Sequence, residues 1–422
     1  MLPAQSLLLL PAFLAAGAAA SSSAVNTTIC NGQQYVYQEL AGYGFLPSDA
    51  RDRFGDSMRE IFTYEGILYA LPDRGWNTNG TLNFQSRIYK LHLTLTLNES
   101  ATVESPSGPN LDITYLDSIL LTDPRGNLLS GLDADAHGPY LTFPGFSPDF
   151  PSTTYTGDGF GGPGPGGHRI SLDSEGLVLN ADGSFWISDE PSALNQEGGL
   201  KNTHRRYARL VEYDLSQQQQ QQQPIYKAEY VVPLPFYDDD DKVAAQSEIH
   251  YISPTQFLVL ARDSNAGHGQ ASSESVYRHA DVFDISNATD VKSVLNDAFN
   301  GSIASTSGTL HPGIQPALYC PWLDFNVNSQ LNRFGVHNGG AQDAALLNEK
   351  WESLALLPVD LDGGNEEGEY FLFSFSDNDF ITQDGYMNFG RFRYKDASGY
   401  NLDNQALVFK VKLPEGARPL VS

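Results

Sequence analysis

Carboxylates recur along this 422-residue chain at the two ends of short apolar hairpins. Side chains of that type, brought together, suit oxygen ligation of a hard divalent cation or general acid–base work. Four segments read as acidic start, apolar strand, turn, apolar strand, acidic end: Asp56 to Asp73, Ser174 to Asp189, Ser247 to Asp263 and Trp351 to Asp377. Three of them open on Glu175, Glu248 and Glu352, where the first has Ser57-Met58. Antiparallel pairing about the turn at Ala181-Asp182-Gly183 predicts Glu175 opposite Asp189 and Glu190. The turn near Pro254-Thr255 sets Glu248 against Arg262 and Asp263, and the longer loop from Asp360 to Glu369 leaves Glu352 near Asp377.

Glu175, Glu248 and Glu352 are the expected ligands of a divalent cation, calcium before magnesium, with Asp73, Asp189, Asp263 and Asp377 as an outer ring touching substrate. The alternative is that these acids satisfy backbone groups at strand ends. Arg74 and Arg262 either receive a phosphate through paired hydrogen bonds or form salt bridges to their neighbouring Asp. His137, in Asp-Ala-His-Gly, is either a general acid or base or a structural loop residue. Trp76, Trp186 and Phe380 end strands and either fill the core or stack on sugar rings. Gly-x-Ser-x-Gly, His-Glu-x-x-His and a Walker loop are all absent, so the common serine-esterase, zincin and P-loop chemistries are not supported.

The elements that must position these residues are strands. Gly, Pro, Asn and Asp punctuate short runs of Ile, Leu, Val, Phe, Tyr and Trp, and helical apolar spacing is missing, so the class is all-β. Repeated hairpins with acidic ends on one edge predict a β-propeller of five or six blades, each a four-stranded antiparallel sheet. Asp73 to Asp189 is 116 residues and Asp263 to Asp377 is 114, room for two blades each, whereas Asp189 to Asp263 is 74, one blade short. A Gly/Pro-rich insertion falls near 138–168, a polyglutamine loop at 217–223, and a solvated charge run at Asp238–Asp241.

Residues 1–20 hold the apolar run Leu7 to Ala16 and small residues before Ser21, which predicts a secretory signal, leaving 21–422 as a single domain. No later stretch is apolar enough to span a membrane. Five Asn-x-Ser/Thr sequons, at Asn26, Asn79, Asn98, Asn287 and Asn300, predict surface loops and fit export. Cys30 and Cys320 either close a disulfide or stay as thiols. With 51 acidic against 25 basic residues, the balance argues against nucleic acid and fits either divalent-cation binding or plain solubility in an acidic extracellular medium; the expected partner is a small-molecule phosphate ester or other extracellular ligand, and a monomer is expected.

Glu175 to Leu179, Phe185 to Glu190, Ser192 to Gly199, Phe257 to Asp263 and Ser376 to Phe380 resemble motifs of the phytase-like family described as "esterase-like activity of phytase". Asp133 to Pro139 is similar to its fungal secreted branch, and the resemblance runs across most of the mature chain. It implies a propeller and a hydrolase of phosphate esters, phytate or a phosphodiester. One departure stands out: Pro191 joins Asp189-Glu190 directly to Ser192, where the family carries more strands and a further hairpin. The alternative reading is a non-catalytic propeller that binds carbohydrate or protein.

Overall fold

The computed structural model describes residues 24–48, 67–73, 85–135, 137–144, 149–179, 185–189, 204–214, 225–237, 242–293, 302–360, 368–387 and 390–419. Within these the chain is all-β, a set of small antiparallel sheets with one short helical segment at Asn328–Phe334. Two sheets anchor the rest. One, here the meander sheet, runs Ala245–Tyr251, Gln256–Arg262, Arg278–Asp284 and Leu318–Asp324 in sequence order. The other, the closing sheet, joins both ends of the chain: Asn26–Cys30, Gln33–Leu46, Asn404–Lys412, Glu369–Phe375 and Ala355–Pro358.

The run Phe257-Leu258-Val259-Leu260-Ala261 is apolar without a break because both faces of its strand are covered. Leu258 and Leu260 pack with Tyr37, Leu40, Leu407, Phe409 and Val411 of the closing sheet. Val259 points the other way, to Val232, Leu210 and Tyr230 of the hairpin formed by Tyr207–Asp214 and Ile225–Pro233. The far face of the closing sheet, through Phe371, Phe373 and Val408, meets Leu93, Leu111 and Ile113 of a three-stranded sheet, Ile67–Ala70, Arg87–Leu95 and Leu111–Leu120. Gly44 permits this approach, since a Cβ there would lie 2.3 Å from the Leu111 carbonyl oxygen. Tyr69 packs edge-on against Phe185 of the hairpin Ser174–Leu179 and Phe185–Asp189. Four of these sheets therefore pack through shared apolar clusters, and the Ser174–Asp189 hairpin joins them through the Tyr69–Phe185 contact.

A disulfide between Cys30 and Cys320 ties the closing sheet to the meander sheet across 290 residues of sequence. Asn26 Nδ2 donates to the Trp322 carbonyl beside it, and Thr28 Oγ1 donates to Pro321 O at 2.6 Å.

A buried polar network braces the meander sheet. The fully buried Asp281 carboxylate accepts from Tyr277 Oη at 2.6 Å, Tyr319 Oη at 2.9 Å and the Trp322 N–H at 2.7 Å. His279 stacks on Tyr277 with centroids 4.2 Å apart; its Nδ1 lies 3.2 Å from Asp281 and its Nε2 3.6 Å from Asp324. Burial disfavours the imidazolium, but the hydrogen bond and charge of Asp281, with Asp324 and Asp263, outweigh it and raise the His279 pKa. A raised histidine stabilises the fold fully below its ordinary value of 6.5, and that contribution is lost as pH rises through the raised value. Urea titrations at pH 5 and pH 8 are expected to show a stability difference that shrinks in His279→Gln; an unchanged difference refutes the linkage.

Candidate functional site

The local sequence Lys350-Trp351-Glu352 explains how the site forms. Trp351 is fully buried, bonded through Nε1 to Asn348 O at 3.0 Å and packed edge-on to Phe325. Strand alternation then turns Lys350 and Glu352 together to the opposite side. Across from them the bridge Trp351 to Ser376, with Asp377 N donating to Lys350 O at 2.7 Å, fixes the register of the second strand end. Ser376 is buried and bonded to Asn348 and Gln405, so Asp377 is presented to the Lys350 and Glu352 side. The following turn holds Asp379 and Phe380 at φ of 49° and 55°, left-handed values uncommon outside glycine.

Asp73, Glu352 and Asp377 each offer a carboxylate oxygen within 4.8 Å of the others. Asp73 comes from the first predicted hairpin, so residues nearly three hundred positions apart meet. Arg262 Nη2 donates to Glu352 Oε1 at 2.7 Å. Lys350 Nζ reaches Asp377 Oδ2 and Asp379 Oδ1, both at 2.8 Å, and lies 3.6 Å from Glu352 Oε2. The acids outnumber the cations. Burial, together with the Asp377 charge beside it, pushes the Asp379 carboxyl up to about 6. Burial also works against ionisation of Asp377, but Lys350 overrides it and holds that carboxyl below the usual range. The same acids, Asp377, Glu352 and Asp379, overcome the burial of Lys350 and raise its pKa. Arg262 Nε is buried with no hydrogen-bond acceptor among the described residues.

The four expected hairpin ends do draw together. Ser174 Oγ, beside Glu175, donates to Pro72 O at 2.7 Å, and the Leu354 N–H, two residues past Glu352, donates to the Glu248 carboxyl. The hairpin pairs as expected but not in the expected register: an irregularity between Ser188 and Asp189 sets Asp189 opposite Ser174 and leaves Glu175 without a direct partner across the ladder, and Arg74, Glu190 and the side chains of Glu175 and Asp189 lie outside the described residues. The third hairpin differs from expectation. A bulge between Gln246 and Glu248 shifts the pairing, so Glu248 stands opposite Leu260, and Arg262 opposite Ala245. Glu248 is absent from the carboxylate cluster; it is held by the Ile249 and Leu354 backbone N–H groups, and burial pushes it up to about 8. That is the backbone-satisfying role rather than a metal-ligand role.

Asp263 likewise turns away. It is buried and accepts from Ser275 Oγ at 2.8 Å and the Val276 N–H at 2.7 Å, so it pins a loop and leaves Arg262 to pair with Glu352 instead of with its neighbour. His137 is exposed on the turn closed by Gly138 N to Asp135 O, and no bond among the described residues links it to the cluster. The residues that sequence reasoning missed are Lys350 and Asp379. Strand alternation about the buried Trp351, and the i, i+2 spacing of Asp377 and Asp379, were the available signals.

These features define a secreted all-β protein with a mixed-charge carboxylate centre. The chain belongs to the same family as a protein of Arthroderma benhamiae (strain ATCC MYA-4681 / CBS 112371) described as an "uncharacterized secreted protein", to which it is 44% identical over 468 aligned residues, covering 86% of this chain and 90% of the relative. The aligned stretch is longer than this chain's 422 residues, so the relative carries internal residues that have no counterpart here. No protein-family model matches the chain. No solved structure matches it either. No helix among the described residues is long and apolar enough to cross a membrane.

Proposed function

We propose that this protein is a secreted, monomeric hydrolase of phosphate esters, of the phytate or phosphodiester kind, built as a β-propeller and using a divalent cation, calcium first, at Asp73, Glu352 and Asp377. The observation that carries the reading is the convergence of three oxygen ligands from two distant hairpins within 4.8 Å. All three are hard donors, the class calcium and magnesium prefer. The propeller reading is supported by sheets that pack on one another through shared apolar clusters, by the four-stranded meander sheet, and by the closing sheet that uses both chain ends. The short interval from Asp189 to Asp263 is the sequence feature behind a lost blade in this reading, and the Arthroderma benhamiae protein does carry internal residues that this chain lacks.

When bound, the cation supplies charge for a phosphoryl oxygen and acidifies a coordinated water. Arg262, held against Glu352 by Nη2, and Lys350, held between Asp377 and Asp379, supply positive charge for the phosphate at the rim. Asp379, pushed up to about 6, holds or releases a proton near neutrality.

Calorimetric titration of chelator-treated protein with Ca²⁺, beside phosphate release from phytate and from bis(p-nitrophenyl) phosphate, tests this. Saturable binding is expected, weakened at least about tenfold in Glu352→Gln and Asp73→Asn, with turnover lost in parallel. Folded wild-type protein that neither binds calcium nor releases phosphate sinks the hydrolase. The second reading, a non-catalytic propeller that binds carbohydrate or protein, is favoured by one observation: Arg262 and Lys350 already neutralise Glu352 and Asp377 from within the chain.

A further inference from the structure

Three of the five sequons fall on described residues, and they are not equivalent. Asn98 sits in the tight turn after the strand Arg87–Leu95, closed by Ala101 N to Asn98 O at 3.2 Å, next to the half-exposed Leu97. Its side-chain oxygen accepts from the Ser100 N–H at 3.2 Å and from Ser100 Oγ at 2.7 Å. The sequon thus folds upon itself: the hydroxyl two residues on polarises the amide carbonyl, while Nδ2 meets no acceptor among the described residues. Asn287 is exposed in the turn that follows Arg278–Asp284, closed by Ala288 N to Ile285 O at 2.9 Å, and its amide is equally unengaged by described residues.

Asn26 is different, because it lies on a strand and not in a surface loop as its sequon predicts. Both reactive groups of its sequon make hydrogen bonds to the neighbouring sheet. The amide nitrogen donates to the Trp322 carbonyl and the Thr28 hydroxyl to the Pro321 carbonyl, four and two residues from Cys30. Asn26 is itself exposed, but an oligosaccharide on that nitrogen would stand against the Trp322 carbonyl, beside the seam between Asn26–Cys30 and Leu318–Asp324 that the Cys30–Cys320 bond closes.

We propose that the secreted, folded protein carries N-linked oligosaccharide at Asn98 and Asn287 and leaves Asn26 unmodified as a strap between two sheets. The transfer forms a bond from Nδ2 to the anomeric carbon of an oligosaccharide donated by a lipid pyrophosphate. The bond from that carbon to the pyrophosphate oxygen breaks, and the amide proton and the lipid pyrophosphate are released. Chains modified at Asn26 fail to seat the first strand and are depleted from the exported pool.

The test is enzymatic release of N-glycans in ¹⁸O water from protein secreted by a fungal host, followed by peptide mass mapping. Labelled aspartate at positions 98 and 287 with unlabelled asparagine at 26 is expected. Label at 26, or its absence at either 98 or 287, overturns the assignment. In parallel, Asn98→Gln and Asn287→Gln each remove one glycan's worth of electrophoretic mobility shift, while Asn26→Gln leaves the mobility unchanged and lowers the melting temperature. A mobility change in Asn26→Gln also overturns it, and the peptide map on wild type decides the matter should that variant fail to be exported.

Discussion

Lys350→Met is expected to destabilise the protein by about 2–3 kcal/mol at pH 7, out of proportion to the loss of one partly exposed charge. Lys350 is the shared counter-ion of Asp377 and Asp379 and stands close to Glu352; its side chain is 22% exposed and those of the three acids are 21%, 28% and 26% exposed. Removing it leaves like charges facing one another with water reaching them only in part, which is why the figure sits below that for a fully buried pair. The acids must then protonate or repel. Acidification from pH 7 to pH 5 is therefore expected to recover much of the loss, because Asp379 already stands at about 6 with Lys350 present and rises further without it. The sign follows from linkage: a carboxyl raised in the folded state binds its proton more tightly there than in the unfolded chain, so lowering the pH favours folding. Denaturant midpoints of wild type, Lys350→Met and the Lys350→Met/Asp379→Asn double variant check it. Recovery in the double variant is expected, and an additive double variant with no pH recovery removes the shared counter-ion account. If the carboxylates hold calcium, millimolar calcium restores the midpoint of Lys350→Met as well.

Replacing Cys30 and Cys320 together by alanine is expected to cost about 4 kcal/mol. The bond closes a loop of 290 residues, so the entropy it removes from the unfolded chain lies near the upper end of what a single cross-link achieves. It also holds the first strand, whose other ties to the meander sheet include the side-chain bonds of Asn26 and Thr28 and the bond from Gln256 Nε2 to Cys30 O at 3.3 Å. Loss of the bond frees that strand first. Hydrogen exchange is expected to show deprotection concentrated in Asn26–Cys30 and Leu318–Asp324 before the rest of the closing sheet opens. Uniform acceleration over all sheets, or a melting temperature unchanged from wild type, contradicts this latch.

The all-β class, the hairpin pairing about the Ser174–Asp189 turn, and the closeness of Glu352 to Asp377 were legible in the residues, because strand alternation and turn chemistry are local. So was the exported character that the chain shares with its secreted relative. Local patterns could not show which acids share a cluster. Glu248 and Glu352 look alike in sequence, yet a one-residue bulge and a backbone amide two positions beyond Glu352 direct Glu248 to a hydrogen-bonded, neutralised setting. Asp263 and Asp377 also look alike, and a serine twelve residues later in the chain claims the first while a lysine claims the second.

Residue type and spacing thus determined the elements and the edge on which the acids gather, since both follow from the two-residue period of a strand. Only the tertiary structure decided that Asp73 joins Glu352 and Asp377, that Arg262 pairs across hairpins with Glu352, and that Cys30 meets Cys320. Those contacts span up to 304 residues, and their partners are selected by how whole sheets pack face to face, which no short stretch of sequence encodes.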